Sequence, residues 1–306
     1  MSSSFNDITD PENGQKEDKL MKFLSAARKA SAGFWTNSPI GYLAGVFLLF
    51  FVFIGLFADF ISPFGPLEAH YDAMKISPTA TYWLGTDHLG RDVLSRVMHG
   101  TRVTMIVAFV SIFIADTIGL AWGILSGYTG GKFDLLSQRV IDVLMSFPSI
   151  ILALLLLVVM GAGLETVIIA IAVTRIPGSQ RVIRAVVFAV KEAAYVEAAR
   201  AIGASPIRVM AQHVAPQTYA PLIVVATTSL GGAIFTEASL SFLGLGIPPP
   251  SPSWGNLLGG LLLESLRPPW WLMIAPGVCI TATILSFNLL GDGLRDHFDP
   301  RLRGKL

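Results

Sequence analysis

The sequence predicts an all-α polytopic membrane protein with six transmembrane helices, and three observations lead to this prediction. Hydrophobic residues make up 53% of the 306 residues and charged residues only 14%, whereas soluble domains carry about 25% charged residues. Mean hydropathy is +0.62. Apolar windows of about 20 residues recur along the chain, and basic residues concentrate in alternate segments between them.

Six apolar segments are long enough to cross a bilayer as helices, because about 20 residues rising about 1.5 Å each span its hydrocarbon core. The first is expected to remain in the protein as a transmembrane helix, since the segment 1–38 is polar and no small-residue cleavage motif closes the apolar run. The predicted spans are 39–60, 102–126, 140–162, 164–187, 219–243 and 271–291.

Basic residues determine the number and orientation of these spans. With six spans and a cytoplasmic N-terminus, sixteen Lys and Arg residues fall in cytoplasmic segments and four in external ones, while Arg102 and Arg175 are expected at membrane edges. Omitting the fourth span, which contains Pro177 and three arginines, would place five of these basic residues outside. The positive-inside rule therefore favours six spans with both termini in the cytoplasm.

The first external segment, 62–101, is predicted to contain an amphipathic helix that rests on the outer surface of the membrane. Asp92 falls in the first turn of this helix, near the positive end of its dipole, and can pair with Arg96 four residues later. One face of the helix carries its apolar side chains, which are Val93, Leu94, Val97 and Met98.

The second external segment runs from Gly244 to Trp270. Its early prolines exclude an ordinary helix at its start. Tryptophans are enriched where a membrane meets water, so Trp254, Trp270 and Trp271 are predicted to lie in an interfacial belt.

Two acids lie inside predicted spans, where ionisable groups are costly and frequently functional. Asp116 falls mid-span in the second helix, and Glu237 lies toward the outer end of the fifth. Either they face a translocation pathway or they hydrogen-bond between helices, and the sequence leaves both interpretations open. Glycines at 119, 123 and 127 predict close helix packing.

The cytoplasmic segment 191–216 predicts two short helices around a glycine. The first half is rich in Ala, Glu and Arg, which are good helix formers, and Gly203 follows as a residue able to take a left-handed conformation. Ser205 can cap the second helix, with Pro206 at its first position. Pro216 is expected to stop that helix.

A compact helical hairpin of this kind has the shape needed to seat in a groove on another protein. The alternative is a solvated cytoplasmic hairpin with no docking role. Four small residues would allow a partner's backbone to approach closely, namely Ala198, Ala199, Ala201 and Ala204.

This hairpin resembles the E-A-A-x(3)-G-x(9)-I-x-L-P signature of permeases in binding-protein-dependent ABC importers. The sequence departs from that signature at His213 and Ala215, which replace isoleucine and leucine. The helix-glycine-helix frame is kept. The matching residues are Glu197, Ala198, Ala199, Gly203 and Pro216.

Three further stretches, 85–96, 235–255 and 288–300, are similar to the dipeptide, oligopeptide and nickel importer permeases, and to the C-type subunit of their heterodimeric pair in particular. The resemblance covers about residues 36–304. Within the first stretch, an external motif is formed by Gly85, Thr86, Asp87, Gly90, Arg91 and Asp92.

The resemblance implies a type I ABC importer permease fold, with one N-terminal helix before a five-helix core, in a bacterial inner membrane. It also implies four partners: a second homologous permease subunit, two ABC ATPase subunits, an extracytoplasmic solute-binding protein and the lipid bilayer. The chain would form half of the translocation pore for di- or oligopeptides. The implied divisions are 1–38, 39–101, 102–292 with the 191–216 hairpin inside it, and a cytoplasmic tail at 293–306.

The chain lacks the motifs of an ATPase. Gly130, Gly131 and Lys132 are similar to the end of a phosphate-binding loop. However, Ser126 stands where glycine is required, and Phe133 stands where Ser or Thr would bind magnesium. ATP hydrolysis is therefore expected on separate chains.

Other site classes are also excluded or left as alternatives. The five histidines show no metal-ligand spacing, and a net charge of +1 gives no sign of nucleic-acid binding, so no metal, cofactor or nucleic acid is expected.

A stand-alone secondary transporter would carry an inverted repeat and a midplane ion site. A membrane-embedded enzyme would need a catalytic constellation, and a non-peptide solute such as a nickel chelate stays open within the importer class.

Overall fold

The computed structural model describes residues 34–35, 38–264 and 268–298, and every regular element among them is helical. The predicted interfacial helix before residue 34 and the chain after residue 298 lie outside the described residues. The elements are α1 (Pro39–Leu56), α2 (Ala58–Ile61), a 3₁₀ turn (Tyr71–Ala73), α3 (Val93–Thr129), α4 (Gly131–Ser146), α5 (Ser149–Met160), α6 (Leu164–Lys191), α7 (Ala194–Ala201), α8 (Pro206–Val209), a π segment (Met210–Val214), α9 (Ala215–Phe242), α10 (Trp254–Glu264) and α11 (Trp270–Phe298).

Five helical stretches in the described part of the chain are long and apolar enough to cross a membrane: α1, α3, α6, the continuous run Pro206–Phe242, and α11. The predicted third span is instead a broken pair, because α4 and α5 meet at an 89° bend. Proline disfavours helical geometry in the residue before it, and Phe147 accordingly adopts an extended conformation before Pro148. Counting the bent pair as one span gives the six that were predicted.

The predicted amphipathic surface helix does not exist as a separate element. Asp92 caps the start of α3, accepting a hydrogen bond from the Ser95 amide at 2.8 Å, and the helix then continues through 37 residues. Val93 and Val97 are buried in the core instead of facing the membrane surface. No proline or turn interrupts the chain between this cap and the second predicted span, so the two segments form one helix.

Pro216 does not stop the second helix of the hairpin, contrary to the prediction. The π segment widens the turn before it, and the Ala215 amide donates to the Met210 carbonyl five residues back. A proline in a helix lacks an amide donor and crowds the preceding turn, and a wide π turn accommodates both effects. Pro216 therefore lies in the first turn of α9, which continues to Phe242.

The predicted position of Trp254 is also wrong, because this side chain is fully buried and not in an interfacial belt. It packs edge-on against Phe51 with ring centroids 5.7 Å apart, and its indole N–H donates to the Val97 carbonyl at 3.1 Å. Trp270 is 61% exposed, as a belt residue would be. Arg175 lies in the interior of α6, and α11 continues helically to Phe298, beyond the predicted span 271–291.

Helix α3 is the centre of the bundle. It packs most extensively on α6 and also contacts α9 and α1, while α11 packs between α9 and α1. The α3–α6 contact depends on missing side chains, since a Cβ at position 119 would lie 2.7 Å from Ser179 Cβ, and one at 123 would lie 2.9 Å from the Gln180 carbonyl oxygen. The predicted glycine packing stripe is thus where the two helices with the most extensive mutual contact touch.

We expect Gly123→Val to destabilise the folded protein by about 1–3 kcal/mol, because overpacking a close contact forces backbone shifts. Gly178→Val is the matched control, since a Cβ at that glycine of α6 meets nothing within 4 Å. Thermal unfolding of the purified, fluorescently tagged variants measures the difference. Equal melting temperatures for the two variants would contradict the packing account.

Candidate functional site

The turn of the 191–216 hairpin is built by a glycine in the left-handed region. Gly203 has φ +86°; its amide donates to the Arg200 carbonyl at 2.9 Å, and the Ala204 amide donates to the Ala199 carbonyl at 3.0 Å. This pair of bonds is a Schellman motif, the usual helix ending at a glycine. The predicted left-handed role of Gly203 is confirmed.

The second limb of the hairpin begins as its sequence predicts. The Ser205 side chain accepts a hydrogen bond from the Arg208 amide, and Pro206 occupies the first turn. Serine at a helix N-cap satisfies an otherwise unpaired amide, and proline there loses nothing because its missing donor would have no partner. The two helical limbs are therefore fixed locally by their own caps.

The base of the hairpin is packed into the membrane bundle. Four of its side chains form one apolar cluster with Ile183 and Val187 of α6. Leu222 of α9 packs against the same cluster, so the base of the hairpin contacts both α6 and α9. The four buried hairpin residues are Val196, Ala199, Val209 and Val214.

The tip of the hairpin, in contrast, presents large apolar side chains to solvent. Ile202 is 86% exposed and Ile207 is 76% exposed, one on each side of Gly203. Glu197 and Ala198 are also exposed, whereas Ala199 faces the core. Exposed apolar side chains clustered in a polar segment are typical of a protein-binding surface.

Sequence reasoning selected the small residues of the hairpin and missed Ile202 and Ile207. The available signal was two large aliphatic residues flanking the predicted glycine turn, in a stretch whose other apolar residues are mainly alanines. A turn places both residues at the tip of the hairpin, where the bundle cannot cover them.

In the half of α6 that leads into the hairpin, two arginines pair with two aspartates of α4. Arg184 binds the Asp134 carboxylate in a bidentate manner, with distances of 2.6 and 2.5 Å. Arg181 donates to Asp142 at 2.5 Å. Bidentate arginine–carboxylate pairs combine charge with fixed geometry, so α4 is tied to the end of α6 that carries the hairpin.

Glu237 is fully buried in a hydrogen-bond network that joins three elements. The Ser241 hydroxyl donates to it at 2.8 Å and the Thr104 hydroxyl at 3.2 Å. The same Thr104 oxygen accepts from the Trp254 amide at 3.4 Å. Of the two interpretations left open by the sequence, this geometry matches the structural one, with the carboxyl group bridging α3, α9 and the start of α10.

Asp116 lies in a separate contact between α3 and α6. It is buried, and the Ser179 hydroxyl donates to its Oδ1. Its Oδ2 atom and both amide atoms of the neighbouring Gln180 have no hydrogen-bond partner among the described residues. Asp116 and Glu237 are therefore not brought together into one acidic site.

The external motif folds into a tightly bonded turn at the outer end of α3. Asp87 accepts hydrogen bonds from the Leu89 and Arg91 amides at 2.9 and 3.0 Å, and from Arg91 Nε at 2.7 Å. Thr86 donates to the Ala73 carbonyl at 2.5 Å. Gly90 has φ +74°, and a Cβ there would lie 1.8 Å from the His70 carbonyl oxygen. Gly85 also has a positive φ, and Asp92 caps α3.

A second ionic contact ties the end of α1 to α3. Arg102 Nη2 donates to Asp59 at 2.8 Å and its Nε donates to the Gly55 carbonyl at 2.8 Å. His99 Nε2 lies 3.1 Å from the same carboxylate. Hydrogen bonds from Arg102 and then His99 hold the pKa of Asp59 below its usual value.

No group of three or more His, Cys, Asp or Glu side chains within the part of the chain that the structure describes is arranged to hold a metal ion.

Comparisons with known proteins agree with this geometry. The family described as binding-protein-dependent transport system inner membrane component matches residues 119–304. A glutathione transport system permease protein of Pectobacterium atrosepticum is 37% identical over 274 residues, covering 88% of this chain and 91% of the relative. A di/tripeptide transport system permease protein of Pseudomonas aeruginosa is 39% identical, covering 95% of this chain and 97% of the relative. A dipeptide transport system permease protein of Bacillus subtilis is 38% identical, covering 85% of this chain and 82% of the relative.

A solved structure shares the fold. The inward-facing MetNI methionine ABC transporter superimposes with a TM-score of 0.53 at 23% identity, over 65% of this chain and 94% of that chain. At this identity the likeness shows the fold of a type I importer permease and nothing finer.

We expect Glu237→Leu to lower the melting temperature of the purified permease by several degrees. The substitution leaves the buried Thr104 and Ser241 hydroxyls without their acceptor, and each unsatisfied buried polar group costs about 1–3 kcal/mol. Glu237→Gln keeps an acceptor oxygen and should have a much smaller effect. If both variants unfold at the same temperature, the bridging role is wrong.

Proposed function

This chain belongs to the family of binding-protein-dependent transport system inner membrane components, and we propose that its 191–216 hairpin is the surface on which a cytoplasmic ATPase docks. The protein is a membrane-spanning permease subunit of an ABC importer. The observation that carries the docking proposal is the contrast between the exposed tip at Ile202 and Ile207 and the buried base of the same hairpin.

The proposed docking mode is a helix end seated in an apolar groove. Ile202 and Ile207 would enter the groove, while Glu197, Ala198, Gly203 and Ala204 would fix the shape of the tip. Ala199 and Pro216 would contribute from inside, by packing the hairpin base and by joining it to α9.

Motion would pass from the ATPases to the pore through the hairpin base. Closure of two ATPase subunits around ATP would pull the tip, and the cluster at Ile183 and Val187 would carry this displacement into α6 and α9. The paired aspartates of α4 would follow α6. Alternating access then results from rocking of helix bundles, and each ligand acts only through its different affinity for the two states.

The chain forms no covalent bond in this scheme, and ATP hydrolysis takes place on the separate ATPase subunits. A second homologous permease subunit completes the pore, and an extracytoplasmic binding protein delivers the solute. Both termini are cytoplasmic in the bacterial inner membrane, in agreement with the excess of basic residues in the segments so assigned. The external motif and its cap on α3 would keep the outer end of the pore rigid.

The proposed chain organisation follows from these roles. A cytoplasmic segment, 1–38, precedes the first helix and its external extension, 39–101. The permease core occupies 102–292, and a cytoplasmic segment, 293–306, follows it. The stand-alone secondary transporter, considered as an alternative, is replaced by the importer because the chain belongs to this family.

We propose short peptides as the solute class. The similar permeases are named for glutathione, di/tripeptides and dipeptides, and all of these are small peptides with a free carboxylate. The proposed solute class is based on this shared chemistry. Transport of radiolabelled dialanine and glutathione into proteoliposomes that contain the assembled transporter tests this proposal.

We expect the double substitution Ile202→Asp and Ile207→Asp to abolish co-purification of the ATPase subunits while the permease still inserts and folds. Both side chains are solvent-exposed in the isolated chain, so their replacement leaves the permease core intact, whereas a buried aspartate in an apolar groove is strongly unfavourable. Co-purification from detergent-solubilised membranes measures the effect.

Lys132→Glu serves as the control for the change in charge, because it lowers the net charge by two, as the double aspartate variant does, at an exposed position at the start of α4. It should leave ATPase binding unchanged. Full ATPase recovery with the double aspartate variant would show that the hairpin tip is not the docking surface.

A further inference from the structure

Arg175 lies in the interior of α6, a helix long and apolar enough to cross a membrane, and its side chain is partly buried. It belongs to α6, which spans Leu164–Lys191, and it is roughly 16 Å along the axis from Leu164 at about 1.5 Å per residue. The hydrocarbon core of a bilayer is about 30 Å thick. A guanidinium at this depth is costly unless it is paired, and such residues line ion or substrate pathways.

Arg175 has no carboxylate partner within the described ranges 34–35, 38–264 and 268–298. Its Nη2 donates to the Thr236 hydroxyl at 3.3 Å, and its Nε has no hydrogen-bond partner there. Arg181 and Arg184 of the same helix are each bound to an aspartate. Arg175 thus differs from Arg181 and Arg184, because its hydrogen-bond partner among the described residues is the neutral Thr236 and not a carboxylate.

Helix α9 holds this guanidinium in a fixed place. A Cβ at Gly232 would lie 2.6 Å from Arg175 Nη2, so glycine leaves the space that the side chain occupies. Thr236 donates to the Gly232 carbonyl at 2.8 Å while it accepts from the arginine. Ser229 lies one turn away on the same face, at the helical spacing 229, 232 and 236. A face of small and polar residues beside a cation is unlike a lipid-facing surface.

We propose that Arg175 binds the carboxylate of the solute as it passes through the pore that this chain and the second permease subunit form. This inference rests on the proposed function as a peptide importer. Arginine pairs with carboxylates through two parallel N–H donors, and only one of the guanidinium nitrogens is engaged within the described chain.

The test is uptake by proteoliposomes containing the complete transporter, with dialanine and dialanine amide each presented at concentrations that saturate the purified binding protein. Arg175→Gln should lower dialanine uptake at least about tenfold, and Arg175→Lys should restore a substantial part of it. Uptake of the amide, which has no carboxylate, should change much less. The preference for dialanine over its amide is therefore expected to collapse in Arg175→Gln.

Two further variants sharpen the result. Gly232→Ala displaces the guanidinium without changing any charge, and it should reduce the same preference. Arg181→Gln is the matched control on α6 and should retain the preference of the wild type.

Two outcomes overturn the site. The first is an unchanged preference for dialanine over its amide in Arg175→Gln, whether both uptakes fall equally or neither falls. The second is loss of the second permease subunit from purified Arg175→Gln complexes, which would assign the arginine to a subunit contact. If the wild-type transporter takes up neither dialanine nor glutathione, the proposed solute class fails, and the carboxylate site fails with it.

Discussion

The close contact between α3 and α6 is the constraint on which the rest of the structure depends. At Gly119 and Gly123 the two backbones approach so closely that a methyl group would not fit. Helix α6 carries the hairpin at one end, two aspartate-bound arginines near it, and Arg175 farther along the same helix. Because packed interfaces switch between discrete arrangements and do not deform continuously, α3 and α6 are expected to move together as one body.

This body explains why the hairpin has two different surfaces. Its base shares an apolar cluster with α6, so force applied at the tip reaches the helix directly. Its tip keeps Ile202 and Ile207 exposed, which is unfavourable in water unless a partner covers them. At the other side of the bundle, the network of Glu237 with Thr104 and the buried Trp254 joins the N-terminal part of α3 to the C-terminal part of α9.

Sequence reasoning predicted the features that depend on local chemistry. The left-handed Gly203, the Ser205 cap and the packing glycines are found as predicted, because each depends on a residue type and its near neighbours. Features decided by tertiary context were missed. Tryptophan is a residue type that is typical of an interfacial belt, but the fold buries Trp254 completely. Pro216 is a helix breaker in isolation, but a π turn accommodates it. A position at the membrane edge was predicted for Arg175, because hydropathy cannot detect the space that Gly232 of α9 leaves for this side chain.

The most direct test of the central claim is photo-crosslinking from the hairpin tip in the assembled transporter. A photoreactive amino acid at position 202 should capture an ATPase subunit, whereas the same group at position 83, an exposed site in the external segment, should not. The crosslinking yield at 202 should also change when ATP is trapped, because the docked tip moves with the ATPases. Absence of an ATPase crosslink at 202 in a complex that still hydrolyses ATP and transports solute would contradict the account.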